Sequence, residues 1–299
     1  MMSGMEGPGS VPPIEGSGRV ISSDNRIGSI LVADGRLAIG QIEEVMELQR
    51  VEGLRFGEAA VTLGLISTDD LHRAIARQYN LPHLLAGNAH IGKELVVAQQ
   101  PFHPRAEEVR ALRTHLSLRW SRARVKHRVL AIVSPGAKEG RSYLTANLAL
   151  AFSQVGERTL IIDADLRAPR QHRIFSVPDR FGLSGVLSGR TGSAAVMPIP
   201  EFGALSLLPA GAPPPNPQEL LSRPALAVLL HELGSRFDLI LIDTPPTNLY
   251  ADAHAVAFQA GSAMVLARKD HTRLHDTKNV IRELTDMGTR VVGTVLNTQ

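Results

Sequence analysis

The alternation of short apolar runs with helical segments in the C-terminal part of the chain most constrains its fold. The runs with strand character are Val129–Val133, Thr159–Ile162, Leu205–Leu208, Leu239–Ile242, Ala263–Ala267 and Val291–Leu296. Segments with helical spacing separate them, at Tyr143–Val155, Pro217–Leu221, Pro224–Leu233 and Thr277–Met287. Short, continuously apolar strands are buried on both faces. The pattern therefore predicts an α/β fold, with a mostly parallel sheet covered by helices on both sides.

Composition excludes several classes of protein. The 299 residues are 43% hydrophobic, which is enough for a sizeable core and suggests about two domains. The formal net charge of +3 is too small for a typical nucleic-acid-binding chain. The absence of Cys excludes disulfides, thiolate zinc sites and thiol catalysis. No apolar run approaches the ~18 residues of a membrane span, and no secretory signal is recognisable. We therefore expect a cytoplasmic protein without a transmembrane segment.

The N-terminal part of the chain contains an internal repeat with an offset of 29 residues. Each copy begins with an Arg-x-Gly triplet, has a second glycine at a predicted turn, and ends with a glutamine. The apolar spacing within each copy predicts a short helix, a glycine turn and a second helix. The shared residues are Arg26, Gly28, Gly35 and Gln49 in the first copy, and Arg55, Gly57, Gly64 and Gln78 in the second.

These observations divide the chain into four predicted parts. Residues 1–24 form a disordered lead-in rich in Gly, Ser and Pro, and residues 25–86 form the helical repeat module. Residues 87–104 lack periodicity and are predicted to be a linker. Residues 105–299 form the α/β domain, which opens with a basic helical stretch. We interpret that stretch mainly as a contact between subunits and a solvated face, with docking near a membrane as a second possibility.

A glycine-containing loop follows the first predicted strand. The segment Ser134–Ser142 connects Val129–Val133 to the next helix, and this layout presents backbone N–H groups and a helix N-terminus to phosphates. The strict P-loop pattern requires Gly, four residues, and then Gly-Lys-Ser/Thr. Here Pro135 occupies the first position and Arg141 the lysine position. Taken alone, the loop is a broken version of that motif.

Carboxylates follow two of the predicted strands. Asp163 and Asp165 come directly after one buried run, and Asp243 follows another. The carboxyl ends of parallel strands face the crevice where ligands bind in open α/β sheets, and oxygen ligands there suit Mg²⁺ carried by ATP phosphates. A single aspartate would usually cap a helix or form a surface ion pair. Three beside a glycine loop instead favour a magnesium–nucleotide site.

Residues 105–299 resemble the cytoplasmic ATPase domain of bacterial tyrosine kinases from capsule and exopolysaccharide loci, which are relatives of partition and septum-site ATPases. Ser134–Ser142 resembles the Walker A loop of that family, Ile161–Arg167 its second acidic motif and Ile240–Pro245 its Walker B motif. The segment 208–221 is also similar. The resemblance implies a P-loop NTPase fold and an ATP- and Mg²⁺-dependent protein-tyrosine kinase.

The resemblance also implies roles for individual residues. The Walker A loop binds the phosphates, and the Ser142 hydroxyl binds Mg²⁺. Asp163 and Asp243 organise the metal, with Asp163 counted among the catalytic residues, and Asp165 takes the proton of the attacking hydroxyl. Asn297 contacts adenine. The residues assigned to phosphate binding are Gly136, Gly140, Arg141 and Ser142, and Arg141 is also assigned to catalysis.

The same resemblance implies partners. Glu107, Arg110 and Arg113 match a motif through which such domains assemble into rings, and their spacing places them on one helix face. The membrane partner would be a separate chain-length determinant protein, which would hold the chain at the inner face of the cell membrane. No specific nucleic acid is expected. The segment Pro214–Leu221 and the motif of Glu107, Arg110 and Arg113 also disfavour a partition-type DNA-associated ATPase.

Two departures from the family leave a second function open. Arg141 replaces the usual lysine, and this change is not conservative because a guanidinium binds phosphate through a planar fork. The family usually carries a tyrosine-rich tail, and we do not expect self-phosphorylation on such a tail here, because the sequence contains only Tyr79, Tyr143 and Tyr250. Either a partner supplies the phosphoacceptor, or the chain is a non-catalytic, ATP-dependent regulator or assembly subunit of the polysaccharide export machinery.

The N-terminal repeat resembles the N-terminal module of type II secretion and pilus assembly ATPases, in the form that binds cyclic di-GMP. That resemblance implies a ligand site formed by Arg26, Gly28 and Gln49 from one copy and Arg55, Gly57 and Gln78 from the other. Arginine can fork onto a guanine edge or stack on its face. The alternative is a helical protein-docking module whose glycines serve only turns.

Overall fold

The computed structural model describes residues 26–78, 92–123, 128–192 and 195–298. The chain divides into two compact units, Met1–Asn80 and Leu81–Gln299. The predicted lead-in at residues 1–24 lies outside the described residues, and so does Tyr79.

The first unit is the predicted helical repeat. One copy comprises helices α1 (Ile27–Ala33) and α2 (Ile42–Glu52), and the other comprises α3 (Phe56–Thr62) and α4 (Thr68–Gln78). The prediction of two helices for each copy is confirmed. Gly35 and Gly64 have φ angles of +66° and +68°, which explains why a glycine stands at each turn. The buried core of the unit consists of Ile30, Leu31, Leu37, Val45, Ala59, Ala60, Ile66 and Ala74.

The second unit contains a seven-stranded sheet and nine α-helices among its described residues. The strands are β1 (Arg128–Val133), β2 (Thr159–Asp163), β3 (Met197–Pro198), β4 (Leu205–Leu208), β5 (Leu239–Asp243), β6 (Ser262–Arg268) and β7 (Arg290–Asn297). The helices are α5 (Val96–Gln99), α6 (Pro104–Ala123), α7 (Arg141–Ser153), α8 (Gln171–Ile174), α9 (Leu183–Leu187), α10 (Pro217–Ser222), α11 (Pro224–Arg236), α12 (Asp252–Ala260) and α13 (Leu274–Asp286).

The sheet has the strand order β3-β4-β2-β5-β1-β6-β7. Every pairing is parallel except that between β3 and β4. Successive residues of each central strand contribute to opposite apolar layers. One layer holds Ile132 and Ile161 together with residues of α5, α6 and α7, and the other holds Val133 and Ile162 together with residues of α10 to α13. The predicted α/β fold is therefore confirmed.

Two features of the second unit differ from the sequence-based expectation. The described part of the predicted linker packs in the second unit, where Leu95, Val96 and Val97 are buried. An apolar run this short shows no periodicity, which is why the sequence pattern indicated a linker. The antiparallel strand β3 also has only two residues, too few to produce an alternating pattern. Across the described residues, no helix is both long and apolar enough to cross a membrane.

Candidate functional site

The loop between β1 and α7 is stabilised from within by a buried glutamate. Glu139 is 2% exposed, and its Oε2 accepts a hydrogen bond from the Gly136 N–H at 2.8 Å. The other carboxylate oxygen accepts a hydrogen bond from the Thr272 hydroxyl. Gly140 ends the loop with a φ of +100°, and Lys138 adopts a φ of +59°, which is uncommon for a residue with a side chain. These contacts fix the loop around the N-terminus of α7.

Arg141, assigned by sequence to phosphate binding, is bonded to protein acceptors in this structure. Its side chain is buried, and Nε donates to the Thr244 carbonyl at 2.8 Å. Nη1 donates to the Ser134 hydroxyl and to the Gly136 carbonyl. Burial lowers the pKa of Arg141, and the nearby carboxylates oppose that shift. The guanidinium therefore links the loop to the end of β5.

The two strand-end carboxylates lie side by side. Asp163 of β2 and Asp243 of β5 are paired in the parallel register, and both are fully buried. The Ser142 hydroxyl hydrogen-bonds Asp243, so the loop and both strand ends meet at one place. Burial raises the pKa of Asp163 well above its ordinary value, and the charge of Asp243 adds to the effect. Burial also raises the pKa of Asp243, against the opposing hydrogen bonds of Ser142 and Gln171.

Gln171 is a site residue that the sequence analysis missed. Its Nε2 donates to Asp243 Oδ2 at 2.8 Å, and its backbone N–H donates to Asp163 Oδ2 at 2.9 Å. The side-chain Nε2 also donates to the Ser142 carbonyl at 3.1 Å. Gln171 therefore joins both carboxylates to the start of α7. Although Gln171 closely follows the Ile161–Arg167 motif, a lone glutamine at the start of a short helix gives no sequence signal of a contact with Asp243.

The polar atoms at this position fit a divalent cation. Within the part of the chain that the structure describes, Asp243 Oδ1 and Gln171 Oε1 are buried and have no hydrogen-bond partner. Clusters of three or more potential metal-ligating side chains are absent from the same residues. Magnesium usually takes only one or two carboxylates and completes its shell with phosphates and waters. An orphaned carboxylate oxygen beside the Ser142 hydroxyl fits that mode of binding.

Asp165 lies at the edge of a cavity of about 330 Å³. Its Oδ1 accepts hydrogen bonds from the backbone N–H groups of Arg167 and Ala168, at 3.3 and 2.9 Å. The loop contributes Lys138, Glu139, Gly140, Arg141 and Ser142 to the lining of this cavity, and the segments after β2 and β5 contribute Asp165, Arg167, Arg170, Leu249 and Tyr250. A carboxylate and a phosphate-type loop thus share one open space.

Asn297, predicted to contact adenine, lies at the end of β7 beside the same loop. Its Nδ2 donates to the Glu139 carbonyl at 2.9 Å, and a Cβ added to Gly140 would come within 2.6 Å of that nitrogen. A second cavity of about 240 Å³ opens here, lined by Tyr143, Leu144, Leu266, Val295 and Asn297 among others. Arg105 and Glu108 also line it, and a mostly apolar wall with a few polar groups is suited to a planar heterocycle.

The three residues assigned to ring assembly lie on α6 and make contacts within the chain. Arg110 pairs with Glu107 at 3.0 Å and also donates to the Pro101 carbonyl. Arg113 donates to the Ala151 carbonyl at 3.1 Å, and burial lowers its pKa. Glu107 is the most exposed of the three, with 74% of its side chain accessible.

In the first unit, Arg26 and Arg55 occupy equivalent exposed positions, directly before α1 and α3. Gly28 and Gly57 face the unit's own side chains, because an added Cβ would come within 3.2 Å of Phe56 and 2.2 Å of Leu71 respectively. Gln49 and Gln78 are partly buried near the ends of α2 and α4. A cavity of about 280 Å³ in this unit is lined by other residues, Leu31, Asp34, Arg36, Asp70 and Arg73.

A parallel sheet whose carboxyl edge joins a phosphate-type loop to two buried carboxylates defines a nucleotide-binding protein of the P-loop class. No protein-family model matches the chain. The putative tyrosine-protein kinase CapB of Staphylococcus aureus is 34% identical over 203 residues, which are 68% of this chain and 88% of CapB. The tyrosine-protein kinase Wzc of Salmonella typhimurium is 32% identical over 204 residues, 68% of this chain but only 28% of Wzc.

Comparison with solved structures also finds a bacterial tyrosine kinase domain and a related ATPase. The kinase domain of Escherichia coli tyrosine kinase ETK superposes with a TM-score of 0.64 at 29% identity, covering 68% of this chain and 79% of that domain. The septum site-determining protein MinD of Pyrococcus horikoshii, complexed with Mg-ADP, gives a TM-score of 0.50 at 27% identity, covering 56% of this chain and 69% of MinD. The chain belongs to the family of bacterial tyrosine-protein kinases.

Proposed function

We propose that the protein transfers the γ-phosphoryl group of ATP to protein tyrosine and thereby regulates the synthesis or chain length of an exopolysaccharide. The observation that carries the proposal is the meeting of Asp163, Asp243 and the Ser142 hydroxyl beside the loop. Two fully buried carboxylates on neighbouring strand ends are costly for a fold, so their presence favours a role with a cation.

Phosphoryl transfer requires that the nucleotide and its metal ion be positioned and that the attacking hydroxyl lose its proton, and different residues of the site would serve these two tasks. The backbone N–H groups from Gly136 to Ser142 would hold the phosphates, while Ser142 and Asp243 would hold Mg²⁺. When bound, Mg²⁺ neutralises phosphate charge. Asp163 would orient the ligands around it. Asp165, which lines the cavity, would accept the proton of the tyrosine hydroxyl.

A transfer assay tests this function directly. With labelled ATP, Mg²⁺ and a tyrosine-containing acceptor peptide, we expect label on tyrosine and a decrease of about 10²–10⁴-fold in Asp165→Asn. Asp286→Asn, at the exposed end of α13, serves as the matched control and should keep the wild-type rate. Nucleotide binding without transfer by the wild-type protein would contradict the kinase proposal.

One observation favours the second candidate, an ATP-dependent regulator without catalysis. The Arg141 guanidinium donates hydrogen bonds to Thr244, Ser134 and Gly136. It therefore binds protein acceptors in the position where a catalytic side chain would bind phosphate. The variant Arg141→Lys separates the two functions. If the kinase proposal is correct, both side chains support transfer. A regulator would bind nucleotide in both forms and transfer phosphate only in the lysine form, or in neither.

Assembly and location follow as further proposals. We infer that α6 contributes to self-association into rings through Glu107, whose exposed carboxylate is available to another subunit, together with Arg110 and Arg113. We also infer that a separate membrane protein of the polysaccharide locus recruits the chain to the inner face of the cell membrane. Sedimentation of the full chain with Mg-ATP, for wild type and Glu107→Ala, tests the first inference.

We also propose that cyclic di-GMP modulates the protein through the first unit. Support comes from the repeat itself, in which Arg26 and Arg55 stand exposed at equivalent positions. Calorimetry of the full chain should show binding in the wild type and its loss in the double variant Arg26→Ala/Arg55→Ala. Arg50→Ala, another exposed arginine of the unit, is the control. No heat at high micromolar ligand would overturn the proposal.

A further inference from the structure

Tyr250 lies in the connection between β5 and α12, and this connection is bonded to the phosphate-type loop. The Thr247 N–H donates to the Ser134 carbonyl at 3.1 Å, and the Asn248 N–H donates to the Pro135 carbonyl at 3.0 Å. The Tyr250 N–H donates to the Pro246 carbonyl at 3.3 Å, which closes a turn. The tyrosine is therefore positioned relative to the loop by backbone contacts.

Arg167 packs against the ring of Tyr250. Its guanidinium lies 4.0 Å from the centroid of the Tyr250 ring. The same guanidinium is fixed by two hydrogen bonds to the fully buried Asp252, at 2.8 and 3.2 Å. It also interacts electrostatically with both Tyr250 and Asp165. A cation over a tyrosine ring is favourable and restricts where the ring lies.

Of the two tyrosines that the structure describes, Tyr250 is the better placed to meet the site. It lines the cavity that also contains Asp165, Gly140 and Ser142, and 36% of it is exposed. Tyr143, by contrast, has a buried hydroxyl. Tyr79, the third tyrosine of the chain, is outside the described residues.

We propose that Tyr250 is a phosphoacceptor for the nucleotide site of its own chain. This inference rests on the proposed kinase function and supplies an acceptor for it. The Tyr250 Oη would form a bond to the γ-phosphorus of ATP as the bond between that phosphorus and the β–γ bridging oxygen breaks. The hydroxyl proton passes to the Asp165 carboxylate, and ADP leaves with the bridging oxygen. Arg167 and Arg170 line the same cavity, and their positive charges, which are paired with Asp252 and Glu94, favour a negative phosphate there.

The test is phosphosite mapping of the full chain after incubation with Mg-ATP. We expect phosphate on Tyr250, lost in Tyr250→Phe and retained in Tyr79→Phe. Because donor and acceptor sites belong to one chain, the labelled fraction at a given time should not change when the protein is diluted. Thermal unfolding and nucleotide binding of Tyr250→Phe, measured in parallel, exclude a folding defect as the cause of lost label.

The outcomes separate this inference from the proposed function. If the wild type labels an added tyrosine peptide but not Tyr250, the inference is overturned and the kinase function remains. Label on Tyr250 that falls steeply with dilution overturns transfer within the chain. If ATP binds and neither the peptide nor Tyr250 is labelled, both proposals fail.

Discussion

The two units of the molecule differ in what they bury. Among the residues that the structure describes, buried polar side chains occur only in the second unit, and they include Glu139, Arg141, Asp163, Gln171 and Asp243. The buried side chains of the first unit are apolar. Burying a charged group is unfavourable unless it is paired with an opposite charge, hydrogen-bonded or bound to a metal ion. From this difference we expect the chemistry of the protein to belong to the second unit, whereas the core of the first unit serves packing.

Glycines illustrate the same difference. In the second unit, Gly136 and Gly140 adjoin polar groups, Glu139 Oε1 and Asn297 Nδ2, so they shape a loop around hydrogen bonds. In the first unit, Gly28 and Gly57 adjoin the apolar side chains of Phe56 and Leu71. Gly28 and Gly57 thus have a packing role whether or not a ligand binds to the first unit.

The largest expected effect is on cation binding in the second unit. Asp243→Asn should weaken Mg-ADP binding by about 100-fold or more, because even partners outside the ligand shell of a metal change affinity by ~10–100-fold. The same variant should raise the melting temperature of the unliganded protein, since burial disfavours the charged form of Asp243. Calorimetry and thermal unfolding measure the two effects. A variant that binds Mg-ADP normally would remove the basis for assigning chemistry to this cluster.

Wild-type binding of Mg-ADP should also depend on pH. The pKa values of Asp163 and Asp243 are raised by burial, so protons compete with the cation and affinity should increase as pH rises through those values. The unliganded fold should show the opposite trend. Its stability should fall as pH rises from the ordinary aspartate range through the raised pKa values, because the folded state holds these protons more tightly than the unfolded chain. Asp243→Asn should flatten both curves.

The next effect concerns an ion pair with a buried partner. Arg167→Ala should destabilise the second unit by about 2–4 kcal/mol, because it leaves the fully buried Asp252 carboxylate without its charge partner. The value is below that of a wholly buried pair, since 30% of the Arg167 side chain is exposed. Denaturant unfolding measures the change. The double variant Arg167→Ala/Asp252→Ala should recover part of the loss.

The comparison of the units also explains which features the sequence could predict. Strand runs such as Leu239–Ile242 and the aspartates that follow them were predictable, because burial on both faces produces continuous apolar residues and parallel strands end at one edge. The inward direction of Arg141 and the position of Gln171 were not. Both depend on acceptors distant in sequence, Thr244 for Arg141 and Asp243 for Gln171. No periodicity within a segment encodes such a contact.

A smaller effect is expected for a glycine of the first unit. In Gly57→Ala, the added Cβ would come within 2.2 Å of Leu71 Cδ1, and overpacking of this kind costs about 1–3 kcal/mol. The gain in helix propensity offsets about 1 kcal/mol of that cost. We expect a net loss of about 1 kcal/mol in the free energy of unfolding of the first unit. Gly40→Ala is the control, because an added Cβ there meets no atom within 4 Å.

The smallest effect should come from an exposed ion pair of the first unit. Arg50 and Glu47 are one turn apart on α2 at 2.7 Å, but their side chains are 76% and 61% exposed. Water and salt screen such a pair, and ordering two long side chains offsets most of the attraction. A double-mutant cycle with Arg50→Ala and Glu47→Ala should give a coupling of about 0.3–0.5 kcal/mol that decreases with added salt. Arg167 and Asp252 are also an arginine–carboxylate pair, but the Asp252 carboxylate is fully buried. If double-mutant cycles gave the same coupling free energy for both pairs, burial would not explain the difference between the two units.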